Sequence, residues 1–281
     1  MNPILIAALI TVGAVALLVL AVLLLRLYML APGRRNSEME KYKSVKFAHR
    51  GLHDGGKAEN SLSAFAAAKA AGYGIELDVR LTKDGEMVVF HDSTLNRICG
   101  VEGRVADFTL DELRKFRLSD TADTIPTLRE VLDLVDGAIP MLIEIKQEAG
   151  EGGVPEKFIE VIEGYNGDFI VESFNPFTLR KVMKARPDVL RGILSTDYSK
   201  SEKHKGKLLF TLLTKLYLNF LMRPDFIAYE KTGASIPTLR YIRKKFNTPL
   251  IAWTVKSEEE ELRALGDGFD TVIFENYLSK K

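Results

Sequence analysis

One cysteine, Cys99, stands among 281 residues, so no intrachain disulfide is possible and a reducing compartment is permitted. Neither sign of charge is in excess: 39 Lys and Arg face 38 Asp and Glu, and without Arg26 the rest of the chain is neutral. A nucleic-acid binder would show a clustered basic excess, so that class is set aside. There is no Cys/His cluster of zinc-binding type and no internal repeat. With 46% hydrophobic and 27% charged residues the chain is not of disordered composition, and its length suits one large core plus an appendage. Ionisable side chains are also missing from Met1 to Leu25, where from Ile4 onward Leu, Ile, Val and Ala are broken only by Thr11 and Gly13.

That apolar run has the length of a bilayer-spanning helix, which needs about 20 residues. A cleaved signal peptide would have a positive leader and a shorter apolar stretch, and neither is found. Arg26, Arg34, Arg35, Lys41, Lys43 and Lys46 all follow the run. The positive-inside rule then places the remainder in the cytoplasm, as a single-pass protein of the cell membrane. Residues 1–30 are read as a transmembrane anchor, 31–44, opening on Ala31-Pro32-Gly33, as a linker, and 45–281 as the catalytic domain.

Beyond the linker, short Val- and Ile-rich runs alternate with helical patterns, the signature of a parallel α/β fold. Candidate strands lie near Val45–His49, Gly74–Val79, Glu86–His91, Pro140–Lys146, Phe169–Phe174, Leu190–Ser195, Phe226–Tyr229, Pro249–Val255 and Thr271–Glu275. Helices are expected over Leu62–Ala71, closed by Gly72, over Leu110–Phe116 after Thr109, and over Leu128–Leu134 after Thr127. About 240 residues match a TIM (β/α)8 barrel, which takes about 250. Nine strands for eight places mean that one is peripheral or belongs to a bent hairpin. Thr82-Lys83-Asp84-Gly85 is too short for a crossover and carries the Asp-Gly hairpin signal. Antiparallel pairing about that turn would set His91 opposite Asp78.

Glu76-x-Asp78 puts two carboxylates on one face of a strand. By themselves they equally fit a solvated face or partners for Arg80. Inside a barrel they would be costly unless a divalent cation joined them. Met141-Leu142-Ile143-Glu144-Ile145-Lys146 adds a third carboxylate and a cation in the same pattern, and three oxygen ligands suit Mg²⁺ or Ca²⁺. His49 and His91 end strands, where barrel enzymes place catalytic groups; a lone strand-end histidine is often structural, but two converging on three carboxylates can act as general base and acid. Arg50 and Lys146 suit phosphoryl oxygens. His53 and His204 fall in loop-like contexts and are left aside.

His49-Arg50-Gly51, Glu59-Asn60-Ser61, Glu76-Leu77-Asp78-Val79, Thr82-Lys83-Asp84-Gly85, His91-Asp92, Glu144-Ile145-Lys146 and Trp253-Thr254-Val255, in this order, resemble the glycerophosphodiester phosphodiesterase family over about residues 45–275. The resemblance implies a TIM barrel of the phospholipase-C-like type with one divalent cation, Mg²⁺ or Ca²⁺, at its mouth. Glu76, Asp78 and Glu144 would be metal ligands, His49 and His91 the catalytic pair, Arg50 and Lys146 the phosphate holders, and Glu59 and Trp253 the pocket wall. Glu59-Asn60-Ser61 also reads as a helix start capped by Asn60 or Ser61. The chain departs from the family in Ala58 for Pro, Lys256 for Asn, and Glu275-Asn276 at the end of the last strand, which bears on substrate rather than reaction.

The expected reaction is metal-dependent hydrolysis of a glycerophosphodiester, or a lysophospholipid, to sn-glycerol 3-phosphate, or lysophosphatidic acid, and an alcohol. A phospholipase C-like or cyclic-phosphate-forming cut is the enzymatic alternative, and a membrane-tethered interaction module the non-enzymatic one. Residues 208–222, behind Lys200, Lys203, Lys205 and Lys207, read as a helix with one narrow polar stripe. That helix fits either a membrane interface or the barrel wall.

Overall fold

The computed structural model of the chain describes residues 2–148 and 150–280. Its strands are β1 Phe47–Ala48, β2 Gly74–Leu81, β3 Met87–Val89, β4 Met141–Ile145, β5 Phe169–Ser173, β6 Arg191–Ser195, β7 Phe226–Glu230, β8 Leu250–Val255 and β9 Thr271–Phe274. All but β3 are parallel, in the order β1-β9-β8-β7-β6-β5-β4-β2, and β1 pairs with both β2 and β9, which closes the barrel. Helices pack outside it, so the TIM barrel expected from the alternation is present.

The surplus strand is β3, antiparallel to β2. Thr82 N–H donates to the Glu86 carbonyl at 3.0 Å, leaving Lys83, Asp84 and Gly85 as a three-residue turn with Gly85 at φ +80°. The expected His91–Asp78 pairing assumed a two-residue turn. The extra turn residue slips the register by one, so Phe90 lies across from Asp78 and donates to its carbonyl at 2.9 Å.

Alternation turns one side of each strand inward, where Phe47, Leu142, Ile170, Leu194, Phe226 and Ile251 form one buried cluster. Gly192 makes room for this filling: a Cβ there would lie 2.1 Å from the Phe226 ring. Met39 and Tyr42 join the same cluster from the short helix Asn36–Met39 and the turn Glu40–Tyr42. Residues 31–44 thus connect the first helix to the barrel without slack, because their apolar side chains plug its lower end.

Helix Pro3–Leu30 is capped by Asn2, whose side chain accepts from Ile4 N–H, and is long and apolar enough to cross a membrane. Its C-terminal end meets the barrel, where the Arg26 guanidinium lies over the Tyr241 ring at 5.5 Å. Asn219 Nδ2 donates to the Leu30 carbonyl at 3.1 Å, and Tyr28 packs on Phe220 at 5.6 Å. Just beyond, Arg35 Nε donates to Asp225 Oδ1 at 3.0 Å, and Asp225 Oδ2 accepts the Arg191 N–H at 3.1 Å. Asp225 is 1% exposed. Asp225→Ala leaves the Arg35 guanidinium and the Arg191 N–H without their carboxylate and is expected to cost about 3 kcal/mol, the scale for a broken buried pair, measured by urea unfolding.

Leu62–Ala71 forms as expected, capped by Ser61 and closed by Gly72 in the left-handed region. Thr109 and Thr127 build capping boxes with Glu112 and Glu130 ahead of Leu110–Leu113 and Leu128–Val135. The helix expected over 208–222 is broken into Leu208–Thr214 and Asn219–Met222 by Leu216 at φ +59°. Barrel side chains take the carbonyls at the break. Ser195 Oγ donates to Leu213 at 3.0 Å and Tyr229 Oη to Thr214 at 3.1 Å.

Candidate active site

Glu76 and Asp78 share the inner face of β2, and the parallel registers set Glu144 beside Asp78 and Glu172 beside Glu144. Carboxylate oxygens of Glu76, Asp78 and Glu144 lie within 4.8 Å of one another, and all three residues are buried. Lys146 Nζ is 3.0 Å from Asp78 Oδ1 and 2.7 Å from Glu144 Oε2. The Arg50 N–H donates to Glu76 Oε2 at 3.0 Å, and Arg50 Nε lies 3.4 Å from Asp78 Oδ2. Asn60, at φ +56°, donates from Nδ2 to Asp78 Oδ2 at 2.8 Å, a role beyond the capping read from its sequence. The cap itself is Ser61.

Burial and the repulsion of Asp78 push the Glu76 carboxyl well above the carboxylate range, and burial pushes Glu144 up to about 7. Burial acts the same way on Asp78 but is overcome by Lys146, His91 and Arg50, which hold its carboxyl low. Two side-chain cations therefore do not satisfy three clustered carboxylates. The oxygen-only donor set and its unmet negative charge fit a divalent ion of the Mg²⁺ or Ca²⁺ kind.

Both histidines are held by carboxylates through Nδ1. For His49 the partner is Glu275 Oε2 at 3.0 Å, and its Nε2 lies 4.0 Å from Glu76 Oε2. For His91 it is Asp92 Oδ1 at 2.6 Å. Binding Nδ1 in this way leaves Nε2 free to exchange a proton. Burial lowers both imidazoles below the usual value, and the two carboxylates oppose it. The His49 hydrogen bond holds Glu275 down at about 2; Asp92 also sits at about 2, where burial is outweighed by Arg97 and His91.

Arg97 binds Asp92 through Nε at 2.6 Å and Glu59 through Nη1 at 2.7 Å, while Glu59 Oε1 accepts from Arg50 Nη1 at 2.7 Å. Glu59, expected in the pocket wall, thus stands behind Arg50 and links it to the His91 partner. Trp253 does line the pocket, as expected, together with its neighbour Thr254. Consecutive residues of a regular strand face opposite ways, but the register between β8 and β9 is irregular over Ala252–Val255, and both residues line the cavity.

The resulting cavity, of about 100 Å³, takes in His49, Arg50, Glu76, His91, Glu144, Lys146 and Glu172. Glu172 is 1% exposed, and its Oε2, like Trp253 Nε1, has no hydrogen-bond partner among the described residues. Sequence reasoning missed Glu172, Asp92, Arg97 and the bond of Glu275 to His49. It also left aside His53, whose ring comes within 4.8 Å of His49 and Glu275 ligand atoms. Only the Asp following His91 carried a local signal.

Glu275→Gln removes the charge that raises His49, so the limb of the kcat/KM–pH profile set by His49 is expected to move to lower pH, with a loss of about 10–100-fold typical of orienting partners. Movement of the acid limb assigns His49 as base, and movement of the alkaline limb assigns it as acid. An unmoved profile would remove Glu275 from the site.

Residues 49–278 match the Glycerophosphoryl diester phosphodiesterase family. A glycerophosphodiester phosphodiesterase of Caldanaerobacter subterraneus is 35% identical over 82% of this chain and 93% of its own. Among solved structures, an Oleispira antarctica phosphodiesterase in complex with the product sn-glycerol-3-phosphate superposes with a TM-score of 0.70 at 23% identity, covering 83% of this chain and 94% of that one. A Thermotoga maritima glycerophosphodiester phosphodiesterase gives 0.61 at 29%, covering 82% and 94%.

Proposed function

Since the chain belongs to the glycerophosphoryl diester phosphodiesterase family and is a phosphodiesterase acting on glycerophosphodiesters, we propose that its reaction is metal-dependent hydrolysis at the Glu76–Asp78–Glu144 cluster, with His49 and His91 as the acid–base pair. What supports this reading is one observation: two histidines, each fixed through Nδ1, share a small cavity with Glu76 and Glu144, whose carboxylates cluster with that of Asp78 and lack sufficient positive charge.

The three carboxylates would hold one Mg²⁺ or Ca²⁺, which when bound supplies Lewis-acid polarisation of a phosphoryl oxygen. Arg50 and Lys146 offset the charge that builds on the other phosphoryl oxygens. One histidine takes a proton from the nucleophile at Nε2 while the other gives one to the departing alcohol oxygen, so the pair is restored by one exchange with water. With water as nucleophile, the new P–O bond replaces that to the headgroup alcohol, giving sn-glycerol 3-phosphate, or lysophosphatidic acid from a lysophospholipid. Trp253 Nε1 and Glu172 Oε2 would meet the substrate's polar atoms. The first helix would anchor the enzyme in the cell membrane, and the basic residues that follow it would favour a cytoplasmic barrel.

Incubation with glycerophosphocholine and glycerophosphoethanolamine in Mg²⁺, Ca²⁺ or EDTA, followed by ³¹P spectroscopy, tests the reading. Glycerol 3-phosphate formed with a cation and not with EDTA is the expected result. A cyclic phosphate as end product, or a rate unaffected by EDTA, would overturn it.

A further inference from the structure

A second, larger cavity of about 530 Å³ opens beside the catalytic one and shares Glu144, Lys146 and Phe174 with it, so the two adjoin at these side chains. Its size falls within the roughly 300–1,000 Å³ of small-molecule sites. Phe174, Phe177, Tyr198, Leu209, Phe210 and Leu213 make its apolar wall. The polar residues on the strand side are already engaged. Arg80 donates to the His91 carbonyl, Gln147 holds Thr178 and the Glu151 carbonyl, Glu148 pairs with Arg104, and Asn175 caps the next helix. Water in such a space gains few hydrogen bonds, and a chainless glycerophosphodiester has nothing apolar to displace it.

We propose that this cavity is the acyl-chain site of a single-chain glycerophospholipid. The glycerophosphate portion lies in the polar cavity, and the chain passes Phe174 into the apolar one. This rests on the phosphodiesterase reading above and names its preferred substrate class. Two further observations point to a chain delivered from a bilayer. The rims are apolar and exposed: Leu208 is 74% and Leu209 51% exposed on one side, and Phe177 57% on the other. The connection from β6 to β7 that supplies Leu208–Thr214 also receives the end of the apolar first helix, through Asn219 to the Leu30 carbonyl and Phe220 to Tyr28. Cleft wall and membrane helix are thus fastened to one segment. The cut itself is unchanged. Water adds at phosphorus, the bond to the headgroup oxygen breaks, and the products are lysophosphatidic acid and the free headgroup alcohol.

The test uses the full chain in phosphatidylcholine vesicles with the activating cation, and 1-acyl-glycerophosphocholines of increasing chain length beside glycerophosphocholine. The expected result is a kcat/KM that rises roughly two- to fourfold per methylene until the cavity is filled, the gain for burying that group. Because longer chains also partition better into the vesicle, Leu209→Asp and Phe177→Ser are measured alongside. The ratio of kcat/KM for a long-chain substrate over glycerophosphocholine is expected to fall at least tenfold in each. A flat series from an enzyme that hydrolyses glycerophosphocholine overturns the acyl site and leaves the phosphodiesterase reading standing. A slope that persists in both variants assigns the preference to the bilayer and also overturns the site. Inactivity of folded protein on every member overturns the phosphodiesterase reading, and the acyl site with it.

Discussion

His49→Ala and His91→Ala are each expected to lower kcat by about 10²- to 10⁴-fold, the range for loss of a positioned proton-transfer group. Both rings are fixed by a carboxylate at Nδ1 and both line the same cavity, so neither stands in for the other. The two losses should not multiply in the double variant, because groups that act in one transition state fail together. A substrate with a p-nitrophenolate leaving group separates the roles. Phenolate needs no proton, so the variant lacking the acid regains most of its rate on that substrate, while the variant lacking the base stays slow. Retention of more than about a tenth of kcat on the natural leaving group by either variant would remove that histidine from the chemistry. Asp92→Asn should reproduce a weakened form of His91→Ala. Its carboxylate bonds His91 at 2.6 Å and is itself held by Arg97.

The barrel was legible in the sequence because each strand carries its own alternation and each turn its own residues. The inward carboxylates of β2 and β4 were legible for the same reason, since Glu76-x-Asp78 and Glu144-x-Lys146 fix a shared face within one element. What was not legible depends on geometry between elements. One extra residue in the Lys83–Gly85 turn moved Phe90 rather than His91 opposite Asp78. Trp253 and Thr254 both line the cavity where the β8–β9 register is irregular, which strict alternation does not foresee. Glu275 meets His49 across 226 positions of sequence, and Arg97 meets Glu59 across 38. Such bonds exist only after the barrel closes β1 against β9 and folds the segment after β3 over its mouth. Glu172 went unmarked because a single Glu on a strand is as readily a solvated residue; only the register beside Glu144 buries it.

Glu76→Gln should abolish turnover and yet stabilise the cation-free protein at pH 7. The folded-state pKa of Glu76 lies well above its unfolded value, and that of Glu144 rises to about 7. Groups shifted in that direction contribute stability that is fully present below the ordinary carboxylate range and is lost as pH rises through their folded values. Without a cation, Tm is therefore expected to fall between about pH 5 and 7. Asp78, shifted the other way, keeps its contribution until strongly acid pH. The amide introduced by Glu76→Gln retains an acceptor for the Arg50 N–H while removing one of the crowded charges, so the fall should be shallower. Added Mg²⁺ or Ca²⁺ competes with protons for the same oxygens, and its stabilising effect should grow with pH. At a hundredfold excess over its Kd a cation supplies about 2.7 kcal/mol, enough to raise Tm by several degrees in a domain of this size. The Glu76→Gln protein should lose most of that increment together with its activity. Calorimetry across pH with and without cation decides the matter: a cation-free Glu76→Gln protein less stable than wild type at pH 7 would mean that the carboxylate supports the fold, not an ion. Greater stability with no turnover would mark the cluster as strain retained for cation binding.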